Sequence, residues 1–282
     1  LLTLDGRQPL FGLTIALGTL LPVAPLIGAR LAIVAWSLVT FGVSLSLARE
    51  VGLTARALRF YALFLIVTPY LLFYDRMALA ESPIVALSML AVLITIKIIR
   101  RPSVRMGIIL GTTLGIGWWY FSLILILVPS MVILLIFYGF RSRARRWPMV
   151  RTMIACGVVF IGIVLPVLAQ EHYWRVVAES PQRFFSVRQF LSFPIAQWMQ
   201  TVSDALQWMV AYTSLPVMLL AVIGSIAFFS SFGIRVALTK TIVPVLMSAM
   251  FVTTVSARNL VVFVPFYLLL GSFGTQKSNI VS

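Results

Sequence analysis

The charged side chains of one ten-residue segment, 74–83, are the strongest candidates for chemistry in this sequence. Asp75, Arg76 and Glu81 lie close together there, in a chain that has seven acidic residues in all. A guanidinium can hold a phosphate with two parallel hydrogen bonds, and a hydrocarbon boundary strengthens that contact. If residues 75–81 are helical, Asp75 and Glu81 diverge from the stripe that carries Arg76. The segment favours a site for a phosphorylated lipid headgroup, and the alternative is a set of simple interface anchors.

Arg258 is the second candidate, because it interrupts an otherwise apolar region, 241–276. An arginine that merely extends to the membrane surface would also explain it. We expect Arg258 to lie on the same side of the membrane as Arg76, so that the two side chains can clamp an anionic group. Arg7 and Arg30 are expected at the same level.

The composition places these residues in a membrane protein. Hydrophobic residues make up 61% of the 282 positions and charged residues 10%, whereas a soluble domain carries about 25% charged residues. Several charge-free stretches approach or exceed the length of about 18 residues that crosses a bilayer as a helix. The alternating pattern of a membrane barrel is absent from the sequence. The fold class is therefore all-α, a polytopic bundle of transmembrane helices.

We predict about nine spans and deduce their orientation from the charges. The predicted spans are 29–48, 58–74, 83–99, 106–117, 119–138, 150–169, 211–232, 241–256 and 259–275. With these spans, 15 basic residues and one acid, Glu50, fall on one side, and 7 basic residues and 6 acids on the other. The first side is cytoplasmic by the positive-inside bias, so the acids face the extracytoplasmic side.

The region 106–140 has arginine clusters at both ends, so it must leave and return to the same side. We interpret it as a hairpin that turns near Trp118 and Trp119. Gly107, Gly111 and Gly115 recur at every fourth position, which lets a neighbouring helix approach closely.

Two segments are expected on the outer surface of a single transmembrane domain, 1–282. The first, 1–28, contains an apolar helix that is too short to cross and is broken by Pro22 and Pro25. The second, 170–210, contains an amphipathic helix that we expect to lie in the membrane plane. Its predicted apolar face consists of Trp198, Met199, Val202, Leu206 and Met209.

Motifs of soluble enzymes are missing from the sequence. It has no glycine-rich phosphate loop, no HExxH motif and no clustered Cys and His, and its one histidine and one cysteine are His172 and Cys156. We therefore expect no metal site and no cofactor, although the sequence does not exclude the use of a divalent metal ion. The formal net charge of +15 requires no nucleic acid partner, because basic loops are usual in membrane proteins.

At these residues the sequence resembles the GT-C membrane glycosyltransferases, in particular the protein O-mannosyltransferase and aminoarabinose-transferase-like group. The matching stretches occur in the family's order. They are Gly6-Arg7-Gln8-Pro9-Leu10, Gly28-Ala29-Arg30-Leu31, Asp75–Pro83 with Glu81 at the acidic position, Leu110–Gly117, and Ala257-Arg258-Asn259-Leu260 followed by Pro265. The resemblance covers most of the chain through short, degenerate motifs.

The resemblance implies a hexosyl or pentosyl transferase of the prokaryotic plasma membrane. Such an enzyme moves a sugar from a polyprenyl-phosphate carrier to a lipid, glycan or protein acceptor on the extracytoplasmic face. Membrane lipids would be its other partners. The resemblance also implies that Glu81 and Asp75 are the candidate catalytic carboxylates, with Glu81 shaping the site. Arg76 and Arg258, and more weakly Arg7 and Arg30, become candidates for binding the lipid phosphate.

Three departures from the family pattern stand out. The family's catalytic acidic motif precedes the stretch that resembles Gly6–Leu10, so we expect this chain to be an N-terminally truncated fragment without that carboxylate. Trp118-Trp119-Tyr120 and Arg258-Asn259 also replace family residues. The alternatives are a transporter or flippase, whose charged sites tend to lie at the bilayer midplane, and a catalytically silent scaffold subunit.

Overall fold

A computed structural model describes residues 9–77, 79–120, 122–141, 143–171, 174, 191–251 and 260–276. These residues form twelve α-helices, with no strand among them. The helices are α1 (Pro9–Thr19), α2 (Pro25–Glu50), α3 (Ala55–Val67), α4 (Pro69–Arg76), α5 (Glu81–Arg100), α6 (Val104–Tyr120), α7 (Val128–Leu134), α8 (Arg143–Leu168), α9 (Ile195–Thr213), α10 (Leu215–Ala227), α11 (Phe232–Phe251) and α12 (Val264–Gly274). A 3-10 helix (Ser122–Leu127) precedes α7, and a π-helix (Leu135–Gly139) follows it.

Four of the described helices are long and apolar enough to cross a membrane. They contain Pro25–Glu50, Glu81–Arg100, Ala144–Leu168 and Phe232–Met250. The pair α9 and α10 would make a fifth as one bent span, and α1, α12 and the region Ile124–Gly139 are shorter apolar helices. The prediction of an all-α integral membrane bundle is confirmed. The count of about nine spans stays a prediction.

The chain divides into two compact units. Unit 1 comprises Leu1–Thr40 and Asp75–Pro181, and unit 2 comprises Phe41–Tyr74 and Gln182–Ser282. The placement of all 282 residues in one domain stays a prediction.

The core of unit 1 is α5, packed against α6, which in turn packs on α8. In α5, 89% of the 18-residue apolar window is buried. A Cβ at Gly107 would collide with the backbone of Thr152, and one at Gly111 with the backbone of Cys156. The predicted close packing of these glycines is therefore confirmed.

The glycine contacts also fix the direction of the helices. Gly107, Gly111 and Gly115 meet residues 152, 156 and 163 in ascending order, so α6 and α8 run parallel. The region between them must therefore cross back, which confirms that 106–140 returns to its starting side. The turn predicted near Trp118 and Trp119 comes slightly later, because α6 continues through both to Tyr120. Tryptophan does not break a helix, and the sequence has no proline or glycine immediately after Gly117 to end it there.

In unit 2, α12 packs between α3, α10 and α11. The Tyr61 hydroxyl donates a hydrogen bond to the Pro265 carbonyl at 3.1 Å, and Gly224 and Gly274 bring α10 and α12 into backbone contact. The predicted span 58–74 is broken into α3 and α4 at Thr68 and Pro69. Thr68 has the extended backbone that a residue before proline prefers, with ψ of 116°.

The predicted amphipathic helix corresponds to α9. It ends at Thr213, and the chain turns by 114° at Ser214 into α10. Its position in the membrane plane stays a prediction. Met199 and Leu206 are exposed as expected, at 63% and 55%. Met209, expected on the same apolar face, is buried instead. Of the loop 170–210, residues 172, 173 and 175–190 lie outside the described residues.

Candidate functional site

Glu81 is the first residue of α5 and is almost completely buried, with 1% of its surface exposed. The next residue, Ser82, is buried to the same degree. The first turn of a helix presents free N–H groups and the positive end of the helix dipole, which stabilise a carboxylate. The structure therefore places an acidic group where the backbone can balance its charge, inside the most buried helix of unit 1.

The start of α5 contacts α2 through Thr40. The Thr40 Oγ1 atom lies 3.1 Å from the Trp36 carbonyl oxygen and 3.5 Å from the Ser82 carbonyl oxygen. A hydroxyl has one hydrogen to donate, so the shorter contact takes most of it and the longer one is weak. The contact nevertheless fixes Thr40 beside the residue that follows Glu81.

The end of α6 reaches the same helix, α2, and also α1. The rings of Trp36 and Tyr120 meet edge to face, with centroids 5.5 Å apart. The Tyr120 hydroxyl lies 2.5 Å from Thr14 Oγ1, which also donates to the Leu10 carbonyl at 2.9 Å. Because the Thr14 hydrogen goes to Leu10, Tyr120 must donate to Thr14. We call Thr14, Trp36, Thr40, Ser82 and Tyr120 the Tyr120 cluster.

Helix geometry brings Glu81 and the Tyr120 cluster to one end of unit 1. Only three residues, 101–103, separate α5 from α6, so the two helices form an antiparallel hairpin. Their lengths of 20 and 17 residues correspond to about 30 and 25 Å. Tyr120 therefore returns to the level of Glu81. We call this the acidic end of unit 1.

The opposite end of unit 1, which we call the basic end, carries the charge excess. The last turn of α5 holds Lys97 and Arg100, and α6 begins with Arg105 in its first turn. Since α8 runs parallel to α6, its first turns, with Arg145 and Arg146, lie at the basic end too. This separation within unit 1 agrees with the distribution of charges predicted from the sequence.

A second contact braces the acidic end. The Trp119 indole donates a hydrogen bond to the Ile163 carbonyl oxygen of α8 at 2.9 Å. Pro166 lies three residues further along α8 and has no N–H to donate within the helix. The indole therefore ties α6 to α8 close to the point where proline weakens the helical hydrogen bonding.

The remaining predicted site residues fall into three groups. Asp75 and Arg76 end α4, but their side chains lie outside what the structure describes. Arg30 lies on α2 with an exposed side chain, ten residues or about 15 Å of helix before Thr40. Arg7 and Arg258 lie outside the described residues.

Residues 75–81 do not form one continuous helix, so the condition under which Asp75 and Glu81 diverge from the stripe of Arg76 is not met. α4 ends at Arg76 and α5 begins at Glu81, so two helices meet in this segment. Of the predicted site residues, the structure describes the side chains of Glu81 and Arg30 only. Glu81 precedes Ser82 of the Tyr120 cluster in the sequence, whereas Arg30 lies about 15 Å of helix away from Thr40 of that cluster.

The sequence analysis missed the Tyr120 cluster itself. Its members lie in four separate stretches, and only Ser82 belongs to the charged segment 74–83. The available signal was Trp118-Trp119-Tyr120, where aromatic residues replace the family pattern. An aromatic group at the end of a span is typical of an interface, so this signal did not indicate a hydrogen-bonded cluster.

Lys240 is a further residue whose position differs from expectation. It is one of the 15 basic residues that the predicted spans place on the cytoplasmic side, between the spans 211–232 and 241–256. The structure instead has a continuous helix, α11, that starts at Phe232, and the Lys240 side chain is fully buried within it. Ionisable residues inside a membrane span are costly and are therefore candidates for function.

Among the described residues, no three His, Cys, Asp or Glu side chains lie together in a way that would hold a metal ion. The expectation that the protein uses no cofactor stays a prediction.

The fold has a counterpart among solved structures. The chain is similar to the crystal structure of ArnT from Cupriavidus metallidurans in the apo state, with a TM-score of 0.65 and 17% sequence identity. The similarity covers 96% of this chain and 49% of that protein, so the chain spans about half its length. No protein-family model matches the chain, and no curated protein matches it. ArnT is an aminoarabinose transferase of the GT-C class, so the resemblance stated above is confirmed for the fold alone.

Proposed function

We propose that the protein takes part in transferring a sugar from a polyprenyl-phosphate carrier to an acceptor on the extracytoplasmic face of a membrane. The observation that carries this proposal is the similarity in fold to ArnT over nearly the whole chain. The buried carboxylate of Glu81, at the end of unit 1 opposite the basic cluster, supports it.

The chemistry would be displacement at the anomeric carbon of the sugar. The acceptor oxygen attacks, its proton passes to a carboxylate, and the lipid phosphate leaves with the bonding electrons. A positioned base and positive groups near the departing phosphate would lower the barrier. The sugar–phosphate bond supplies the driving force, so no nucleotide is required.

We assign the residues as follows. Asp75 is the candidate base, and Glu81, because it is 1% exposed, orients its surroundings from the start of α5. The Tyr120 cluster holds α2 and the end of α6 in place beside the start of α5. Arg76 and Arg258 hold the carrier phosphate, with Arg7 and Arg30 as outer contributors.

The test is sugar transfer from a radiolabelled polyprenyl-phosphate sugar in membranes that contain the protein. We expect Arg76→Ala, Arg258→Ala and Glu81→Gln each to lower transfer by at least about tenfold, the usual weight of one charge-assisted contact. Glu171→Gln is the matched control, because Glu171 is an exposed acid on the same predicted side. Full transfer in all three site variants would overturn the assignment.

Movement of a lipid or solute across the membrane is a second candidate function. The observation that favours it is Lys240, fully buried in α11, since buried ionisable groups often mark transport pathways. In vesicles, Lys240→Met would then abolish the movement of a fluorescent lipid, whereas Lys97→Met, which changes an exposed lysine, would not. Equal movement with and without the protein would exclude this function.

A further inference from the structure

A shallow groove lies on unit 1 where α6 and α8 meet, far from the acidic end. Its volume is about 430 Å³, and apolar side chains line almost all of it. Val104 and Ile108 come from α6, and Ile154, Ala155, Val158 and Val159 come from α8. Val158 is 65% exposed, so the groove opens outwards from the helix pair.

One charged side chain, Arg151, also lines the groove. On α8, Arg151, Ile154, Ala155 and Val158 follow a spacing of three and four residues, so they form one continuous stripe. The apolar part of the stripe extends away from Arg151 towards the acidic end, over about 12 Å to Val159. The groove therefore has a cationic head at the basic end and an apolar body.

The level of the cationic head is marked by an aromatic residue. The Arg151 guanidinium lies 5.1 Å from the centre of the Trp147 ring, one helical turn closer to the basic end. Tryptophan is enriched at the boundary between headgroups and acyl chains, and its ring face attracts a guanidinium. Arg105, which is exposed, precedes the groove on α6, and exposed Arg145 and Arg146 precede it on α8. Arg151 thus lines the groove, and three further arginines lie at the same end of the helix pair.

We propose that this groove binds an anionic glycerophospholipid from the leaflet at the basic end. An acyl chain lies along Ile108, Ile154 and Val158, and the phosphodiester contacts Arg151. Basic pockets between transmembrane helices bind anionic headgroups in this way, with a contribution from each cation near the surface. The proposal is independent of the sugar-transfer function, because it uses the opposite end of unit 1.

The experiment is native mass spectrometry of the detergent-purified protein, titrated with phosphatidylglycerol or with phosphatidylcholine of the same acyl chains. We expect the first molecule of phosphatidylglycerol that binds to each protein to bind more tightly than the first molecule of phosphatidylcholine. Arg151→Gln should lower that affinity about fivefold, the weight of one cation at a membrane surface. Arg235→Gln is the matched control, since Arg235 is an exposed arginine at the start of a helix in unit 2.

A second pair of variants separates the groove from general attraction by charge. Val158→Trp fills the groove and leaves every arginine in place, so it should prevent the first phosphatidylglycerol from binding. Leu219→Trp, at an exposed apolar position of α10, should have no effect. Equal affinity for the two lipids, equal losses in Arg151→Gln and Arg235→Gln, or unchanged binding in Val158→Trp would each overturn the proposal.

Discussion

The hydroxyl groups of Thr14 and Tyr120 lie 2.5 Å apart, although 106 positions separate the two residues in the sequence. The pair ties the short helix α1 to the last residue of α6, at the end of unit 1 where Glu81 begins α5. Since Thr14 also donates to its own helix, this one contact both completes the hydrogen bonding of α1 and fixes its position.

Removal of this hydrogen bond should destabilise the protein by about 1 kcal/mol, the usual net value of one hydrogen bond. Tyr120→Phe and Thr14→Val should each lower the midpoint of thermal unfolding in detergent. The double variant should be as stable as the less stable of the two single variants, because both changes remove the same hydrogen bond. Thr19→Val, which removes a hydroxyl bonded within α1 itself, is the control. Fully additive losses would show that the two residues act independently.

The glycine contacts between α6 and α8 predict that glycine variants at the contact and away from it differ in stability. Gly107→Ala and Gly111→Ala should each destabilise the protein by roughly 1–3 kcal/mol, because the new Cβ would collide with backbone atoms that cannot move aside easily. Gly157→Ala on α8 meets open space and should be neutral or stabilising by up to about 1 kcal/mol. Thermal unfolding of the three variants is the measurement, and a similar loss in all three would contradict the packing described here.

The turn between α9 and α10 depends on a strained backbone at Ser214, with φ of 76° and ψ of 149°. Such a conformation is almost confined to glycine. Ser214→Gly should therefore raise stability by about 1 kcal/mol. Gly52 has φ of 92°, so Gly52→Ala introduces a side chain where the backbone favours glycine. This substitution should lower stability by a similar amount. If Ser214→Gly is destabilising, the serine contributes more through its side chain than it costs in strain.

Arg30 allows binding to be tested apart from folding. Because its side chain is exposed, Arg30→Ala should change the free energy of unfolding by less than about 0.5 kcal/mol. If it contacts the carrier phosphate, the same change should raise the apparent KM for a polyprenyl-phosphate sugar by about tenfold. Arg56→Ala, at another exposed position, should leave the KM unchanged. An unaltered KM in both variants would remove Arg30 from the phosphate site.

The features predictable from the sequence were those that follow from hydropathy and charge. Long charge-free stretches defined the helical membrane fold, and the arginines on both sides of 106–140 required that region to return. The recurrence of Gly107, Gly111 and Gly115 indicated a packing face because no other property of glycine explains that spacing in a helix. Each of these signals acts within one stretch of sequence.

The features that could not be predicted depend on distant contacts or on the exact ends of helices. Tyr120 and Thr14 come together only through the packing of α1 on α6. Lys240 was assigned to a turn because a lysine between two apolar stretches usually lies there, yet α11 starts at Phe232 and continues through it. For the predicted site, the sequence indicated Glu81 as an acid in the segment that precedes a span, but not its burial, which depends on the neighbours of α5.

The parallel course of α6 and α8 has a consequence for how the chain is made. With the predicted spans and orientation, we expect α6 and the returning residues 122–139 to enter the bilayer as a pair, since either one alone would leave the next basic cluster on the wrong side. Loss of the returning residues would not simply shorten the protein. It would force α8 either to reverse its direction and abandon the glycine face, or to draw its arginines through hydrocarbon.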